Sequence, residues 1–126
     1  MTITEVSKMY NISADTLRYY ERIGLIPAVN RTSGGIRDFT EEDCKWVEYA
    51  KCMRNSGVQV EALIEYVELF QKGDSTTAAR KQILIDQRDI LLKKSLEMQK
   101  TLDRLNFKIE RYEETLLKAE NNLINN

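Results

Sequence analysis

The sequence contains no histidine, only two cysteines and a single proline. Without histidine the chain cannot form the usual zinc finger or supply the imidazole of Ser/His and Cys/His nucleophile pairs. One proline and five glycines are too few for an all-β fold with many tight turns. No run approaches the ~20 apolar residues of a transmembrane helix, and residues 1–10 lack the apolar core of a signal peptide. These absences predict a cytoplasmic, mainly α-helical protein that is not an enzyme, needs no cofactor and has no membrane association.

Charge is unevenly distributed, although the formal net charge of the 126 residues is only −1. Four arginines and one glutamate lie between Thr16 and Arg37, whereas five carboxylates and one lysine lie between Asp38 and Glu48. A small positive surface beside an acidic segment suits a protein that binds nucleic acid selectively. Chance clustering of the arginines is the alternative.

The N-terminal residues predict a helix-turn-helix. Thr4 can cap a first helix that runs to about Tyr10, Ser13 can cap a second helix, and Gly24 has the position of a C-cap glycine at the end of the second helix. Two short helices joined by so brief a turn have the spacing that this DNA-binding motif requires.

The second helix, Ser13–Tyr20, is the candidate base-reading element. Thr16, Arg18 and Tyr19 project outward near its start. An arginine can donate two hydrogen bonds to guanine or phosphate, and a tyrosine can stack or bind the DNA backbone. Taken alone, the stretch is equally compatible with an ordinary amphipathic helix that carries a solvated arginine.

Residues 28–39 predict a wing, in which a small hairpin turns at residues 32–35. Three apolar side chains would hold the hairpin: Val29, Ile36 and Phe39. Arg31 and Arg37 would flank its tip within reach of DNA phosphates, unless the segment is simply a solvated loop.

Two further helices are predicted, Glu41–Ser56 and Val60–Lys72. Thr40 and Asp43 form a capping-box pattern at the start of the first, and Cys44 falls on its inner face as a packing residue. These helices complete a predicted head of residues 1–75.

Residues 76–126 predict one long helix, which would extend over roughly 49 residues, or about 73 Å, to Ile124. Mostly apolar residues recur with 3-4 spacing in two seam positions, with Ser95, Tyr112 and Ala119 as imperfect members: Leu91, Met98, Leu105, Tyr112 and Ala119 in one, and Ser95, Leu102, Ile109, Leu116 and Leu123 in the other. This heptad is typical of a coiled coil, and a second copy of the chain is its natural partner. The pattern alone leaves parallel and antiparallel pairing open.

Two motifs resemble the MerR family of bacterial transcription regulators. They are T-L-R-Y-Y-E-R-I-G-L-I at Thr16–Ile26 and R-x-x-x-G-I-R-D-F at Arg31–Phe39. The resemblance covers nearly the whole chain, and it implies a homodimer with an antiparallel coiled coil. Such dimers bind a palindrome within an overlong promoter spacer and twist the DNA so that RNA polymerase can engage both promoter elements.

The resemblance also implies roles for individual residues. Arg18 and Tyr19 would contact bases and backbone, Ser13 and Thr16 would contact phosphates, and Arg37 would clamp a phosphate from the wing with Arg31 nearby. The family usually has tyrosine where this chain has Phe39, so Phe39 is assigned to the core.

The predicted effector follows from the cysteines. The chain has no cysteine after Cys52, whereas the metal-sensing branch of the family uses a cysteine near the start of the dimerisation helix and a cysteine loop at its end, so no metal site is expected. Residues 52–58, 65–69 and 83–88 resemble instead the small branch that senses aldehydes, nitrosothiols or related electrophiles through one thiol, which matches Cys52. Lys51 and Arg54 would favour its thiolate.

Three alternatives remain. Cys52 can be an inert small hydrophobic residue, as most helical cysteines are. The same dimer can hold a non-covalent effector between the fourth helix and the partner's long helix. The chain can also be a coiled-coil interaction module whose head binds protein.

Overall fold

The computed structural model describes the backbone of residues 1–125 and all of their side chains except those of Leu116 and Asn125. The helices are α1 (Ile3–Tyr10), α2 (Ala14–Ile23), α3 (Glu41–Asn55), α4 (Val60–Gln71), α5 (Thr77–Arg111) and α6 (Leu117–Asn125), with a 3-10 turn at Asp74–Thr76 and a π-helical segment at Tyr112–Leu116. No β-strand occurs in the part of the chain that is described. The predicted fold class is confirmed: the protein is mainly α, with a winged helix-turn-helix head and a long dimerisation helix.

The chain divides into two compact units, Met1–Arg88 and Asp89–Asn126. The first unit contains the helix-turn-helix, the wing, α3, α4 and the first turns of α5. Its core is centred on four fully buried side chains: Val6, Leu17, Ile26 and Val47. Phe39 is also buried, in agreement with its assignment to the core.

The first helix begins earlier than predicted. Thr2, and not Thr4, is the N-cap of α1, because Glu5 lies three residues after Thr2 and completes a capping box. The Thr2 hydroxyl oxygen accepts a hydrogen bond from the Glu5 amide at 3.1 Å, and the Glu5 carboxylate accepts one from the Thr2 amide at 3.3 Å. The turn between α1 and α2 is made by Asn11, which has φ 53° and ψ 50°.

Helix α2 ends at Gly24, which adopts the left-handed conformation with φ 82°. Its amide donates to the Tyr20 and Glu21 carbonyls, as a C-cap glycine is expected to do. The recognition helix therefore extends to Ile23, and Gly24 is the C-cap that the sequence predicted.

Packing of α3 against α4 involves a cluster of aromatic rings. Trp46 and Tyr49 of α3 contact Tyr66 and Phe70 of α4, and the Trp46–Phe70 centroids lie 4.9 Å apart. Edge-to-face aromatic pairs of this kind stabilise a helix–helix contact beyond the area that they bury.

Asp43 joins the capping box of α3 to the base of the wing. Its Oδ2 accepts hydrogen bonds from the Thr40 amide at 2.9 Å, the Asn30 amide at 3.3 Å and the Asn30 side chain at 3.1 Å. The side chain is buried, which works to raise its pKa, but the hydrogen bonds from Thr40 and Asn30 outweigh burial and lower the pKa of Asp43.

Replacement of Asp43 by alanine should lower the free energy of unfolding by about 2–4 kcal/mol at pH 7, because it removes a cap and leaves the partly buried amides of Thr40 and Asn30 without their acceptor. The pKa of Asp43 is lowered in the folded state, so ionised Asp43 stabilises the fold, fully at pH values above its ordinary pKa of 3.8. This stabilisation disappears as the pH falls through the lower pKa of the folded state. Urea titrations of wild type and variant at a series of pH values should therefore converge in acid. The exposed neighbour Glu42, changed to Gln, should have little effect, and an equally large loss there would contradict this assignment.

The second unit differs from the predicted single helix. Helix α5 ends at Arg111, where the backbone departs from helical geometry (φ −103°, ψ 2°), and α6 follows the π-helical segment. Lys108 and Glu120 form an ion pair at 3.7 Å. Twelve residues of straight helix would separate them by about 18 Å, more than their side chains span, so the chain changes direction between them.

Most predicted seam residues are exposed in the single chain. Met98, Leu102, Leu105, Ile109 and Tyr112 are exposed, Leu91 is half-buried, and Leu116 lies outside the described side chains. An exposed apolar row on a long helix is what pairing with a second copy requires. The seam from Leu91 to Ile109 lies on uninterrupted helix, whereas Tyr112 lies in the π-helical segment, so the prediction of one continuous helix to Ile124 is wrong.

Candidate nucleic-acid interface

Ser13 and Thr16 form the N-terminal cap of α2. The Ser13 hydroxyl accepts a hydrogen bond from the Thr16 amide at 3.1 Å and donates to the Thr16 hydroxyl at 2.8 Å. Free amides and the positive end of the helix dipole at this terminus favour a phosphate. The structure thus gives both residues a local role as caps, and their contact with DNA phosphates stays a prediction.

Arg18 and Tyr19 lie exposed on α2. Arg18 is held by Asp15, one turn earlier, through an ion pair of 2.8 Å between Nη1 and Oδ1. The guanidinium of Arg22 lies 5.4 Å from the centre of the Tyr19 ring. Arg22 was missing from the predicted interface, although its position three residues after Tyr19 places the two on one helix face.

The wing is closed by one antiparallel bridge between Arg31 and Arg37. The Thr32 amide donates to the Ile36 carbonyl at 2.8 Å, and the Gly35 amide donates to the Thr32 carbonyl at 2.9 Å. Ile36 does not hold the hairpin, contrary to prediction, because 68% of its surface is exposed. Neighbouring side chains in an extended segment point to opposite sides, and Arg37 takes the inward side.

Both wing arginines face Glu21 of the recognition helix. Arg37 Nε donates to Glu21 Oε1 at 2.7 Å, and Arg31 Nη2 lies 3.7 Å from the same oxygen. Arg31 also donates to the Gly35 carbonyl at 2.8 Å. The structure therefore brings Arg31 and Arg37 to α2 through Glu21, a contact that the sequence did not predict.

Removal of the Asp15 carboxylate should strengthen binding to DNA of any sequence. In Asp15→Asn, Arg18 loses its competing anion, so we expect affinity for a scrambled duplex to rise about two- to fivefold, with a steeper salt dependence. Thermal stability should hardly change, because exposed ion pairs contribute little. Fluorescence anisotropy at several salt concentrations measures this, with Asp103→Asn on α5 as the charge-matched control. An unchanged affinity would show that Asp15 does not restrain Arg18.

The two cysteines occupy different environments. Cys44 is buried on the inner face of α3, as predicted, and burial raises its pKa. Cys52 is exposed. It lies in a shallow groove of about 430 Å³ between α1 and α3, which is lined by Met9, Tyr10, Glu48, Lys51, Cys52, Asn55 and Ser56.

The two cations near Cys52 are engaged with backbone carbonyls. Lys51 Nζ donates to the carbonyl of Tyr10, the last residue of α1, and Arg54 donates to the Val58 carbonyl at 2.8 Å. Glu48 lies one helical turn before Cys52 and adds a negative charge to the groove. The groove thus adjoins a contact between α3 and the helix-turn-helix.

Within the described residues, no group of three or more Cys, Asp and Glu side chains is placed to hold a metal ion. Nor does any described helix combine the length and apolar character needed to cross a bilayer.

An exposed recognition helix, an adjoining wing and a long helix with an apolar row define a winged helix-turn-helix DNA-binding protein. Comparison with known proteins specifies the family. Residues 1–69 match the MerR HTH family of regulatory proteins. The chain belongs to this family, whose regulators act as dimers on DNA with RNA polymerase; it is a DNA-binding transcriptional regulator and not an enzyme.

Individual relatives support a narrower placement. The HTH-type transcriptional regulator AdhR of Bacillus subtilis is 58% identical over 92 residues, which cover 73% of this chain and 66% of AdhR, just under two thirds. A MerR family structure from Listeria monocytogenes matches with a TM-score of 0.89 and 44% identity. The match covers 99% of this chain and 95% of the Listeria chain. HiNmlR, described as a MerR family regulator lacking the sensor domain and bound to promoter DNA, has a TM-score of 0.80, 29% identity and 92% coverage of both chains. These similarities place the chain in the AdhR/NmlR-like branch.

Proposed function

We propose that this chain is a homodimeric regulator of the bacterial cytoplasm that binds and distorts promoter DNA and responds to reactive electrophiles, such as aldehydes and nitrosothiols, through Cys52. The observation that carries the proposal is the position of Cys52. It is the exposed one of the two thiols, and its groove adjoins the helix-turn-helix. The similarity to AdhR and HiNmlR supports the same branch.

The chemistry with an aldehyde needs no further reactant. The Cys52 thiolate attacks the carbonyl carbon, a C–S bond forms, and the π electrons of the C=O bond move to oxygen, which takes up a proton to give a thiohemiacetal. The adduct adds bulk and a hydroxyl group to a groove in which Lys51 and Tyr10 are already in contact.

The signal would pass from α3 to α1. Lys51, next to Cys52, donates to the carbonyl at the end of α1, close to the turn that leads to α2. A group added at Cys52 would weaken or shift the contact between Lys51 and the Tyr10 carbonyl. This shift would change the angle of the recognition helix. In a symmetric dimer the same change in both heads would favour one of two DNA-bound shapes of the protein. Because each shape deforms the promoter differently, the shift between them would change transcription.

In vitro transcription from the promoter upstream of the chain's own gene tests the proposal. Wild type, Cys52→Ser and Cys44→Ser are compared with and without formaldehyde. We expect wild type and Cys44→Ser to respond and Cys52→Ser to bind the promoter without responding.

A full response of Cys52→Ser would overturn thiol sensing and would favour a non-covalent effector. If the head bound a protein partner but no DNA, the regulatory role would be overturned. The chain would then be the coiled-coil interaction module given above as an alternative.

A further inference from the structure

Glu21 uses both carboxylate oxygens to hold the wing. Its side chain is only 12% exposed. Oε1 accepts from Arg37 Nε at 2.7 Å and lies 3.7 Å from Arg31 Nη2, while Oε2 accepts from the Val29 amide at 2.5 Å. One carboxylate on the recognition helix thus contacts both arms of the wing and the strand-like segment that leads into it.

The wing has little backbone structure of its own to fix its orientation. It is closed by a single bridge, and a turn so short is marginally stable without support from packing. Buried Val29 and Phe39 anchor the base of the wing, whereas Ile36, near its tip, is exposed and supplies no such packing. The orientation of the outer part of the wing relative to α2 therefore depends on polar contacts, of which those from Arg37 and Val29 to Glu21 are short and charge-assisted.

The contact also sets which donors Arg37 presents. A guanidinium has five N–H donors in a rigid fork, and the Nε–H of Arg37 is directed at Glu21. Fixing this donor fixes the plane of the guanidinium, so its terminal N–H groups have a defined direction. With 24% of its side chain exposed, Arg37 is held more firmly than a free surface arginine.

We propose that Glu21 is a positioning residue for DNA recognition: it couples the wing to the recognition helix, so that the two contact DNA with a fixed relative geometry. The proposal rests on DNA binding by this family and is independent of sensing by Cys52.

A negative charge near DNA ordinarily weakens binding, so removing one should raise affinity. If Glu21 positions the wing, its removal should instead lower the affinity for the specific site. Loss of Glu21 frees the wing. Its arginines must then be ordered when the protein binds DNA, and the entropic cost of this ordering lowers the affinity.

The test uses the full-length chain and two duplexes, one selected by wild type from random-sequence DNA and one a scrambled version of it. In Glu21→Gln the shape is kept, but an NH2 group replaces one of the two carboxylate oxygens, so either the Arg37 Nε–H or the Val29 N–H faces a donor and loses its hydrogen bond. We expect affinity for the selected duplex to fall about tenfold or more, and affinity for the scrambled duplex to stay constant or rise. Glu41→Gln, on the exposed first turn of α3, removes the same charge away from the wing and should not lower either affinity.

A double-mutant cycle with Arg37→Gln separates positioning from a general structural effect. If Glu21 acts through Arg37, Glu21→Gln should cost little further affinity once Arg37 is removed. An equal loss in both backgrounds would overturn the proposal, as would a rise of affinity for the selected duplex in Glu21→Gln.

Arg37→Lys provides a second variant should Glu21→Gln fail to fold, as circular dichroism would reveal. It keeps the positive charge but removes the Nε–H that Glu21 holds. We expect the same selective loss on the selected duplex, and an unchanged affinity there would contradict the proposal.

Discussion

Arg18→Ala should abolish selective DNA binding while leaving the protein folded. Arg18 is exposed on the recognition helix, and its contact with Asp15 is a surface ion pair that contributes little to stability. A bidentate arginine contact to a base discriminates by about 1–3 kcal/mol, and a symmetric dimer makes it twice. Affinity for the selected duplex should therefore fall by about thirtyfold to twenty-thousandfold, since each 1.4 kcal/mol is about tenfold.

Anisotropy titration of the full-length chain measures this loss. Arg104→Ala on α5 removes the same charge outside the head and should reduce affinity little. If Arg18→Ala weakened binding to selected and scrambled duplexes equally, Arg18 would be a phosphate contact and the base-reading assignment would be wrong.

Leu102→Glu should convert the dimer into monomers. Leu102 is 51% exposed in the single chain and lies in the predicted seam of α5, between Met98 and Leu105. In a dimer the substitution removes two apolar contacts of about 1.5–3 kcal/mol each and places two carboxylates in an apolar seam. The dimer dissociation constant should rise by at least about a thousandfold, and DNA binding should weaken in parallel.

Sedimentation equilibrium determines the mass of this variant. Lys100→Glu lies on the opposite side of α5 and changes charge without entering the seam, so it should remain dimeric. A dimer that persists in Leu102→Glu would show that the chains pair through another surface.

Local signals in the sequence predicted most of the head correctly. Thr40 and Asp43 form the expected capping box, and Gly24 ends α2 as expected, because both depend on neighbouring residues and on backbone conformation. The start of α1 was misplaced because Thr2 and Thr4 are equally good caps by residue type. Glu5, three residues after Thr2, is the signal that distinguishes them.

Tertiary contacts account for what the sequence did not reveal. Ile36 is apolar and was expected to pack, but Arg37 takes the inward side of the wing to reach Glu21. Glu21 itself was counted only as one negative charge among arginines, since the distance between residues 21 and 37 gives no hint of contact. Its isolation among four arginines was the available clue.

The end of α5 could not be predicted from periodicity. No glycine or proline lies near Arg111, and the apolar spacing continues past it through Tyr112 and Leu123. The change of direction is instead marked by contacts distant in sequence, the Lys108–Glu120 ion pair and the Tyr112–Glu120 hydrogen bond of 3.4 Å.

The most direct test of the account measures promoter shape and occupancy together in the absence of RNA polymerase. Wild type and Cys52→Ser are bound to the promoter fragment, and nuclease footprints and permanganate reactivity of the spacer are recorded with and without formaldehyde. We expect wild type to keep its footprint while the permanganate reactivity of the spacer changes, and Cys52→Ser to show the footprint without that change. Release of wild type from the promoter by formaldehyde, or the same spacer change in Cys52→Ser, would contradict it.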